Sequence, residues 1–488
     1  MSQPVVHITH LNLKYHHTLV LQDLNWTINP GENWLLRGIS GSGKTSLAKA
    51  IAGQVRYQGD ITINFNPESS LPPIVHYVAN WYQFKDLEGQ SNFYYQQRYN
   101  KQAVETTATV KAELEEYGKK HQLQFTEVEI LLEALGFSDL KDSTLIQLSS
   151  GEHKKLQLIK ALWLKPQLLI IDQPYNGLDK LSRQNLNGLF ESISAAGTQL
   201  ILISNDKELP AAIHRFAKID TGKLVEIKVD DHLLETDQVT GKQIPEFLNQ
   251  APVSSTGSVI SMSGVNISYG DKQVLKNINW EVNAGEKWLL QGHNGSGKST
   301  LLSLVTGDHP QAYANNFQLF GYQRGSGESI WDIKKRIGLI SPELHWYFDP
   351  SATVKQSVIS GFFDSSGLFC EPDYTKKTQA DELISYFGLV DEQHTLLNQL
   401  PLGKQRLAFL ARTIIKNPEL LILDEPCQGL DQQQTQNFNR LVDELCKNGT
   451  TLIYVGHFES QLPACIEKRI LLENGEVKSV EFKNQTTY

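Results

Sequence analysis

The sequence has no apolar run that approaches the roughly 20 residues a membrane-spanning helix needs. Its longest apolar runs, such as residues 420–424, have the length of a strand. The first ten residues lack the basic and apolar segments of a secretory signal. These absences predict a protein without a membrane span and with a cytoplasmic location, and they leave peripheral attachment to the inner face of the plasma membrane as an alternative.

Cysteine is scarce, and acidic residues outnumber basic ones. The four cysteines all lie in the second half of the chain without CxxC spacing, which disfavours a disulfide framework or a zinc site and predicts unpaired, buried thiols. The 45 Lys and Arg against 54 Asp and Glu give a net charge of −9. Such a charge disfavours a protein that coats nucleic acid by neutralising phosphates, so a nucleic-acid partner is the less favoured hypothesis.

What the sequence does contain is a long internal repeat. Residues 11–47 reappear in altered form as residues 265–301, with Tyr15 matching Tyr269 and Lys44 matching Lys298 at the same offset. A repeat of this size is a whole domain rather than a short solenoid unit. We therefore predict two domains, residues 1–227 and 258–488, joined by a linker over residues 228–257 with one short helix.

Each repeat has the order of an α/β domain. Alternating short strands come first, followed by an apolar strand, a glycine-rich loop and a helix. Helical periodicity at residues 153–164 and 404–416 is followed each time by a strongly apolar strand. This order predicts a parallel core sheet covered by helices.

The glycine-rich loops, residues 38–45 and 292–299, both fit the GxxxxGK[ST] phosphate-loop (Walker A) pattern of P-loop NTPases. Their glycines let successive backbone N–H groups point at phosphate oxygens near the positive end of a helix. The lysines add charge at the β- and γ-phosphates, and the last residue of each loop offers a hydroxyl to Mg²⁺. The predicted ATP-binding residues of the loops are Gly38, Ile39, Ser40, Gly41, Ser42, Gly43, Lys44 and Thr45, and Gly292, His293, Asn294, Gly295, Ser296, Gly297, Lys298 and Ser299.

Residues 147–179 and 400–431 closely resemble the block from the signature to the D-loop of ATP-binding cassette (ABC) proteins. The resemblance covers nearly the whole chain except the linker. It implies two ABC-type domains, each with a mixed or parallel core sheet, an antiparallel β subdomain and a helical subdomain. It also implies head-to-tail pairing of the two cassettes, with each ATP held by the phosphate loop of one and the signature of the other, and adenine stacked on Tyr15 and Tyr269.

By this resemblance the second cassette has a complete set of catalytic residues. Asp424 is expected to hold Mg²⁺ with Ser299, Glu425 to orient or deprotonate the attacking water, and His457 and Lys298 to contact the γ-phosphate. The signature that would face this site from the first cassette, with Ser149 and Gly151, is close to the usual LSGGQ. We expect a site that hydrolyses ATP.

The first cassette departs from that pattern. Asp172 and Thr45 remain for Mg²⁺, but Gln173 stands where the catalytic carboxylate is expected and Asn205 where the switch histidine is expected. The facing signature has Pro401 in place of serine, which removes an N–H. Because these losses fall on one composite site, we predict that it binds ATP and turns it over slowly.

The Q-loops are altered in both halves, with Asn80 and Pro342 where glutamine is usual and Gln83 and Glu343 nearby. Because this loop senses the membrane partner in transporters, the alteration puts coupling to a conventional transmembrane domain in doubt. Residues 86–106 are rich in tyrosine and lie where the family has its variable helical subdomain. They are either a packed surface or a docking patch for a partner.

Residues 301–316, 319–338 and 462–470 resemble a two-cassette branch of the family associated with molybdate transport and also called the photorepair branch. This resemblance implies the ATP-binding component of a transport system, with an integral membrane permease as partner, although no residue stands out as a molybdate ligand. The alternative is a non-transport ABC ATPase acting on a ribosome or DNA. The short, weakly charged linker and the single catalytic glutamate favour the first interpretation.

Overall fold

The computed structural model describes residues 3–15, 18–39, 41–80, 107–206, 208–228, 244–248, 257–269, 272–342, 344, 348–430, 432–456 and 462–482. These residues belong to two compact units, one up to residue 228 and one from residue 244 onward.

The first unit contains nine strands and five α-helices within the described ranges. The strands are β1 (Val6–Tyr15), β2 (Thr18–Ile28), β3 (Trp34–Arg37), β4 (Gln58–Ile63), β5 (Val75–Val78), β6 (Leu168–Asp172), β7 (Gln199–Ile203), β8 (Arg215–Asp220) and β9 (Lys223–Glu226). The helices are α1 (Lys44–Ile51), α2 (Val110–His121), α3 (Phe125–Ala134), α4 (Ser150–Leu164) and α5 (Lys180–Ala195).

A six-stranded sheet forms the centre of this unit, in the order β5-β6-β7-β3-β8-β9. Its first five strands are parallel, and β9 is antiparallel to β8. Every residue of β6 and β7 is buried, as expected of central parallel strands with both faces covered. A second, antiparallel sheet, β2-β1-β4, shares one apolar core with α1 and one face of the large sheet, while α2 and α3 pack against α4.

The second unit repeats this plan. Its strands are β10 (Ser258–Tyr269), β11 (Lys272–Asn283), β12 (Lys287–Gly292), β13 (Phe317–Leu319), β14 (Tyr322–Gln323), β15 (Ile337–Ile340), β16 (Leu420–Asp424), β17 (Thr451–Val455), β18 (Lys468–Glu473) and β19 (Glu476–Phe482). Its helices are α6 (Lys298–Val305), α7 (Ile330–Lys334), α8 (Val354–Ile359), α9 (Tyr374–Tyr386), α10 (Leu402–Ile414) and α11 (Gln432–Cys446).

The large sheet of the second unit has the order β15-β16-β17-β12-β18-β19, again with five parallel strands and an antiparallel last strand. The antiparallel sheet is β11-β10-β13-β14, and α8, α9 and α10 pack together as the helical part. The mixed core sheet, the antiparallel subdomain and the helical subdomain predicted for each cassette are therefore confirmed.

Three details refine the sequence-based expectations. Helices α4 and α10 begin earlier than their periodicity predicted, directly after Ser149 and Pro401 of the signatures, and the Ser149 side chain caps the first turn of α4. The expected short linker helix is a single 3₁₀ turn at Glu246–Leu248, which buries Leu248. The prediction of buried thiols is wrong for Cys370, which is exposed.

Among the helices in these ranges, none has the length and apolarity that a membrane crossing requires.

Candidate functional site

The phosphate loop of the first unit joins β3 to α1, and its backbone requires glycine. Gly38, Gly41 and Gly43 have φ of 144°, 83° and 103°, values that side chains rarely tolerate. A Cβ on Gly38 would lie 2.7 Å from the carbonyl oxygen of Ile219, and one on Gly43 would lie 2.6 Å from Leu21. The loop therefore curls tightly onto the N-terminus of α1, the arrangement that cradles an anion.

The phosphate loop of the second unit has the same backbone between β12 and α6. Gly292, Gly295 and Gly297 have φ of 155°, 80° and 101°. A Cβ on Gly292 would lie 2.4 Å from Ser296 Oγ, and one on Gly297 would lie 2.7 Å from Leu275. Both cradles thus fit a phosphate group at a helix N-terminus.

A lysine reaches back over each loop. Lys44 Nζ donates to the carbonyl oxygens of Gly38 at 2.7 Å and Ile39 at 2.6 Å. Lys298 Nζ donates to those of Gly292 at 2.7 Å and His293 at 2.9 Å. Each ammonium group is therefore held inside its loop, at the place where phosphate oxygens would be bound.

The hydroxyl and carboxylate predicted to hold Mg²⁺ meet in the first unit. Thr45 Oγ1 donates to Asp172 Oδ2 at 2.5 Å, and the Tyr77 hydroxyl donates to the same oxygen at 3.4 Å. Burial raises the pKa of Asp172, against the hydrogen bond from Thr45 and the charge of Lys154. Hard oxygen ligands of this kind fit Mg²⁺. In the second unit Ser299 follows Lys298 in α6, and Asp424 ends β16.

The residue after each of these aspartates lies on the same unusual backbone in both units. Gln173 has φ 51° and Glu425 has φ 44°, a left-handed conformation that costs a non-glycine residue about 1–3 kcal/mol. The backbone N–H of Gln173 donates to Ile203 O at 2.9 Å, and the backbone N–H of Glu425 donates to Val455 O at 3.1 Å. The two side chains therefore occupy matched positions, and only the second offers a carboxylate.

The switch position of the first unit lies beside its phosphate loop. Asn205 Nδ2 donates to Gly38 O at 3.3 Å, and its Oδ1 is buried without a hydrogen-bond partner among the described residues. An amide at this place can touch a phosphate oxygen but cannot gain and lose a proton as histidine does. His457, predicted as the switch of the second unit, lies outside the described residues, as does Ser40 of the first loop.

The two signatures differ at the start of their helices. Ser149 caps α4 with a reciprocal pair, because its amide donates to Glu152 Oε2 at 2.7 Å and its hydroxyl accepts from the Glu152 amide at 3.4 Å. Gly151 lies in the first turn of the same helix. Pro401 caps α10 without any side-chain hydrogen bond and has no N–H of its own. The second signature therefore lacks two donors that the first has at this position, the hydroxyl and the N–H.

Sequence reasoning missed a buried cation six residues after the leucine that opens each signature. Lys154 Nζ donates to the carbonyl oxygens of Asp172 and Ala79, both at 3.0 Å, and burial lowers its pKa to about 7, opposed by Asp172. Arg406 is also fully buried, which lowers its pKa to about 10 against the charges of Cys427, Glu425 and Asp424. The signal available in the sequence was a basic residue at the same position in both helices, six residues after the leucine that opens each signature.

The predicted adenine platforms end their strands with exposed rings. Tyr15 ends β1 and is 44% exposed, and Tyr269 ends β10 and is 39% exposed. At the altered Q-loop, Asn80 Oδ1 accepts from Asn176 Nδ2 at 2.7 Å. Gln83, Glu343 and residues 86–106 lie outside the described residues.

Comparisons with known proteins agree with this geometry. The profile of the family described as "ABC transporter" matches residues 21–176 and 275–428, one match in each unit. The ABC transporter ATP-binding protein ModF of Escherichia coli is 35% identical over 93% of this chain and 94% of its own length. An uncharacterized ABC transporter ATP-binding protein of Schizosaccharomyces pombe is 29% identical over 94% of this chain and 96% of its own.

Among solved structures, the archaeal ribosome recycling factor aABCE1, in complex with the ribosomal stalk protein aP1, covers 98% of this chain and 90% of its own with a TM-score of 0.55. At 17% sequence identity this likeness concerns the fold alone.

Proposed function

Because this chain belongs to the family of ATP-binding cassette proteins, we propose that it is an ATPase in which only one of two nucleotide sites turns ATP over at a high rate. The observation that carries the proposal is the pair Gln173 and Glu425, which share one backbone conformation while only Glu425 can accept a proton.

The unequal sites are assigned by the head-to-tail pairing that the family resemblance implies. The competent site joins the second phosphate loop, Asp424, Glu425 and His457 to the first signature, with Ser149. The degenerate site joins the first phosphate loop, Asp172, Gln173 and Asn205 to the second signature, with Pro401. Three substitutions therefore fall on one site and none of these three on the other.

In the competent site each residue has a separate task. Lys298 adds positive charge beside the β- and γ-phosphates, and Glu425 orients the attacking water and receives its proton. Mg²⁺ held by Ser299 and Asp424 would neutralise charge on the same phosphates. In the first cassette Gln173 orients a water but leaves its proton in place, so ATP bound there persists.

The experiment is a steady-state ATPase assay on matched variants of the full chain. Loss of a general base typically lowers a rate by about 10² to 10⁴, so Glu425→Gln is expected to lower kcat by at least about a hundredfold. Gln173→Ala is expected to lower it by less than about threefold, since no proton transfer depends on it. Equal losses in the two variants would contradict the proposal.

We further propose that the chain is the ATP-binding component of a transport system, with an integral membrane permease as its partner. The support is the likeness to the ABC transporter ATP-binding protein ModF and to the family described as ABC transporter. The proposal of a molybdate-type substrate rests only on the resemblance to the two-cassette branch of the family that is associated with molybdate transport.

Affinity capture of the Glu425→Gln protein with ATP, which is expected to hold the closed state, tests the partner. Recovery of an integral membrane protein that is absent without ATP is the expected result. Recovery of ribosomes or DNA instead would replace the transport role with action on a macromolecule.

A further inference from the structure

The segment after α6 packs against the end of β10, where Tyr269 lies. Gln311 binds the backbone of Ser268 at two points, because Ser268 N donates to Gln311 Oε1 at 3.2 Å and Gln311 Nε2 donates to Ser268 O at 2.7 Å. Two residues earlier along β10, Asn266 N donates to Asn315 Oδ1 at 2.8 Å. Strand β13 pairs with β10 only over Ile260–Met262. Farther along this edge of β10, the side chains of Gln311 and Asn315 supply hydrogen bonds that a neighbouring strand would otherwise make.

His309, in the same segment, contacts the Tyr269 side chain directly. Its Nε2 lies 2.8 Å from the Tyr269 hydroxyl oxygen, and the two rings meet edge to face with centroids 5.7 Å apart. His309 itself is only 1% exposed, whereas Tyr269 is 39% exposed. A buried side chain therefore contacts the hydroxyl end of a tyrosine that is partly exposed.

The hydrogen bonds of His309 determine which of its nitrogens carries the proton. The backbone N–H of Gln311 donates to His309 Nδ1 at 3.2 Å, so Nδ1 is an acceptor and the proton lies on Nε2. Nε2–H then donates to the Tyr269 oxygen. Burial lowers the pKa of His309 to about 4, so the imidazole is neutral and keeps this arrangement throughout the physiological pH range.

The first unit is built differently at the corresponding place. Helices α1 and α6 are each followed by a glycine with positive φ, Gly53 at 70° and Gly307 at 77°. Two residues farther on, the first unit has Val55 where the second has His309. Within the described part of the chain, the Tyr15 hydroxyl makes no hydrogen bond that corresponds to the one between Tyr269 and His309.

We propose that His309 is a positioning residue that fixes the ring of Tyr269 for stacking on the adenine of ATP in the second cassette. This inference rests on the proposed function, because it takes Tyr269 as the adenine platform. Fixing the ring before ATP arrives removes part of the entropy lost on binding, so its effect falls on ATP affinity rather than on the chemical step. The competent site thereby also has the better ordered base platform.

The test is the KM for ATP of the full-length protein in four variants. His309→Val introduces the residue of the first cassette, and Tyr269→Phe removes only the hydroxyl. Each is expected to raise KM about three- to tenfold, the range of one neutral hydrogen bond, with kcat changed by less than about twofold. Because both variants break one contact, the double variant is expected to match the singles. His309→Gln, which keeps an N–H donor, is expected to restore most of the affinity.

Inorganic tripolyphosphate, which carries phosphates but no base, separates positioning from general damage. Its inhibition constant is expected to be the same in His309→Val as in the unmodified protein. A second control is Tyr322→Phe, which removes the hydroxyl of an exposed tyrosine in β14 and is expected to leave the KM for ATP unchanged. Parallel weakening of tripolyphosphate and ATP, or an unchanged KM in both single variants, would overturn the inference.

Tyr269→Ala distinguishes this failure from failure of the site assignment. If Tyr269→Ala raises KM strongly while His309→Val and Tyr269→Phe do not, Tyr269 stacks on the base without needing His309. If Tyr269→Ala also leaves KM unchanged, Tyr269 is not the platform and the inference falls with that assignment. Should His309→Val not fold, Tyr269→Phe and Tyr269→Ala together still decide between these outcomes.

Discussion

The ends of β6 and β16 present the same backbone with different chemistry. Gln173 and Glu425 both adopt a left-handed conformation, and both amides bond to the neighbouring parallel strand. The sheet therefore dictates where the side chain points, whichever residue is there. An ABC cassette can therefore have glutamine in place of glutamate here without a change of backbone, because strand pairing and burial, rather than the carboxylate, hold that position.

The signatures show the same separation between scaffold and chemistry. Helices α4 and α10 both begin at the signature and bury comparable apolar faces. Only α4 is preceded by a serine, whose side chain caps the helix and whose backbone carries an N–H. At the signatures, the difference between the cassettes thus lies in a few polar groups, each of which can be exchanged.

After Glu425→Gln, the largest expected effect comes from the aspartates that are proposed to hold Mg²⁺. Asp424→Asn is expected to lower kcat by about 10² to 10³, because charge on the phosphates is no longer neutralised at the competent site. Asp172→Asn is expected to lower kcat far less and mainly to weaken retention of ATP. Steady-state kinetics with filter-binding of labelled ATP measure both quantities. A greater loss of kcat in Asp172→Asn would reverse the comparison between the cassettes.

A smaller effect is expected from exchanging the signature residue. Ser149 has φ −71° and Leu148 is extended, with ψ 141°, so Ser149→Pro fits the backbone while removing the hydroxyl and the N–H. We expect kcat to fall about ten- to a hundredfold. Ser149→Ala, which keeps the N–H, is expected to lose less.

The matched control is Pro401→Ser in the second signature, where kcat is expected to change by less than about twofold, because the site that this signature is proposed to complete has Gln173 in place of a base. If Pro401→Ser stimulates turnover as strongly as Ser149→Pro impairs it, the two sites are not unequal in the proposed sense.

The smallest effect is expected from partial repair of the first cassette. Asn205→His alone is expected to change kcat by less than about twofold, since Gln173 still cannot accept a proton. The triple change Gln173→Glu, Asn205→His and Pro401→Ser is expected to add a second working site and so about double kcat, given equal sites. Pre-steady-state quench-flow detects the second population. A doubling from Asn205→His alone would show that the switch, not the base, limits this site.

Sequence patterns were sufficient for the fold and for the phosphate loops. The repeat, the GxxxxGK[ST] loops and the apolar strands fix the order of elements, because such patterns report local backbone needs and burial. Lys154, Arg406 and His309 were not predicted, because their roles depend on contacts with residues distant in the chain. His309 meets Tyr269 only when the segment after α6 folds back on β10, and no local periodicity reports that contact.

One measurement tests the central claim most directly. The full-length protein is loaded with ATP without Mg²⁺, freed of unbound nucleotide, mixed with Mg²⁺ and quenched at intervals for analysis of the bound nucleotides. The account predicts that half of the bound ATP becomes ADP rapidly while the other half stays intact over many turnover times. Conversion of all bound ATP at a single rate would contradict it.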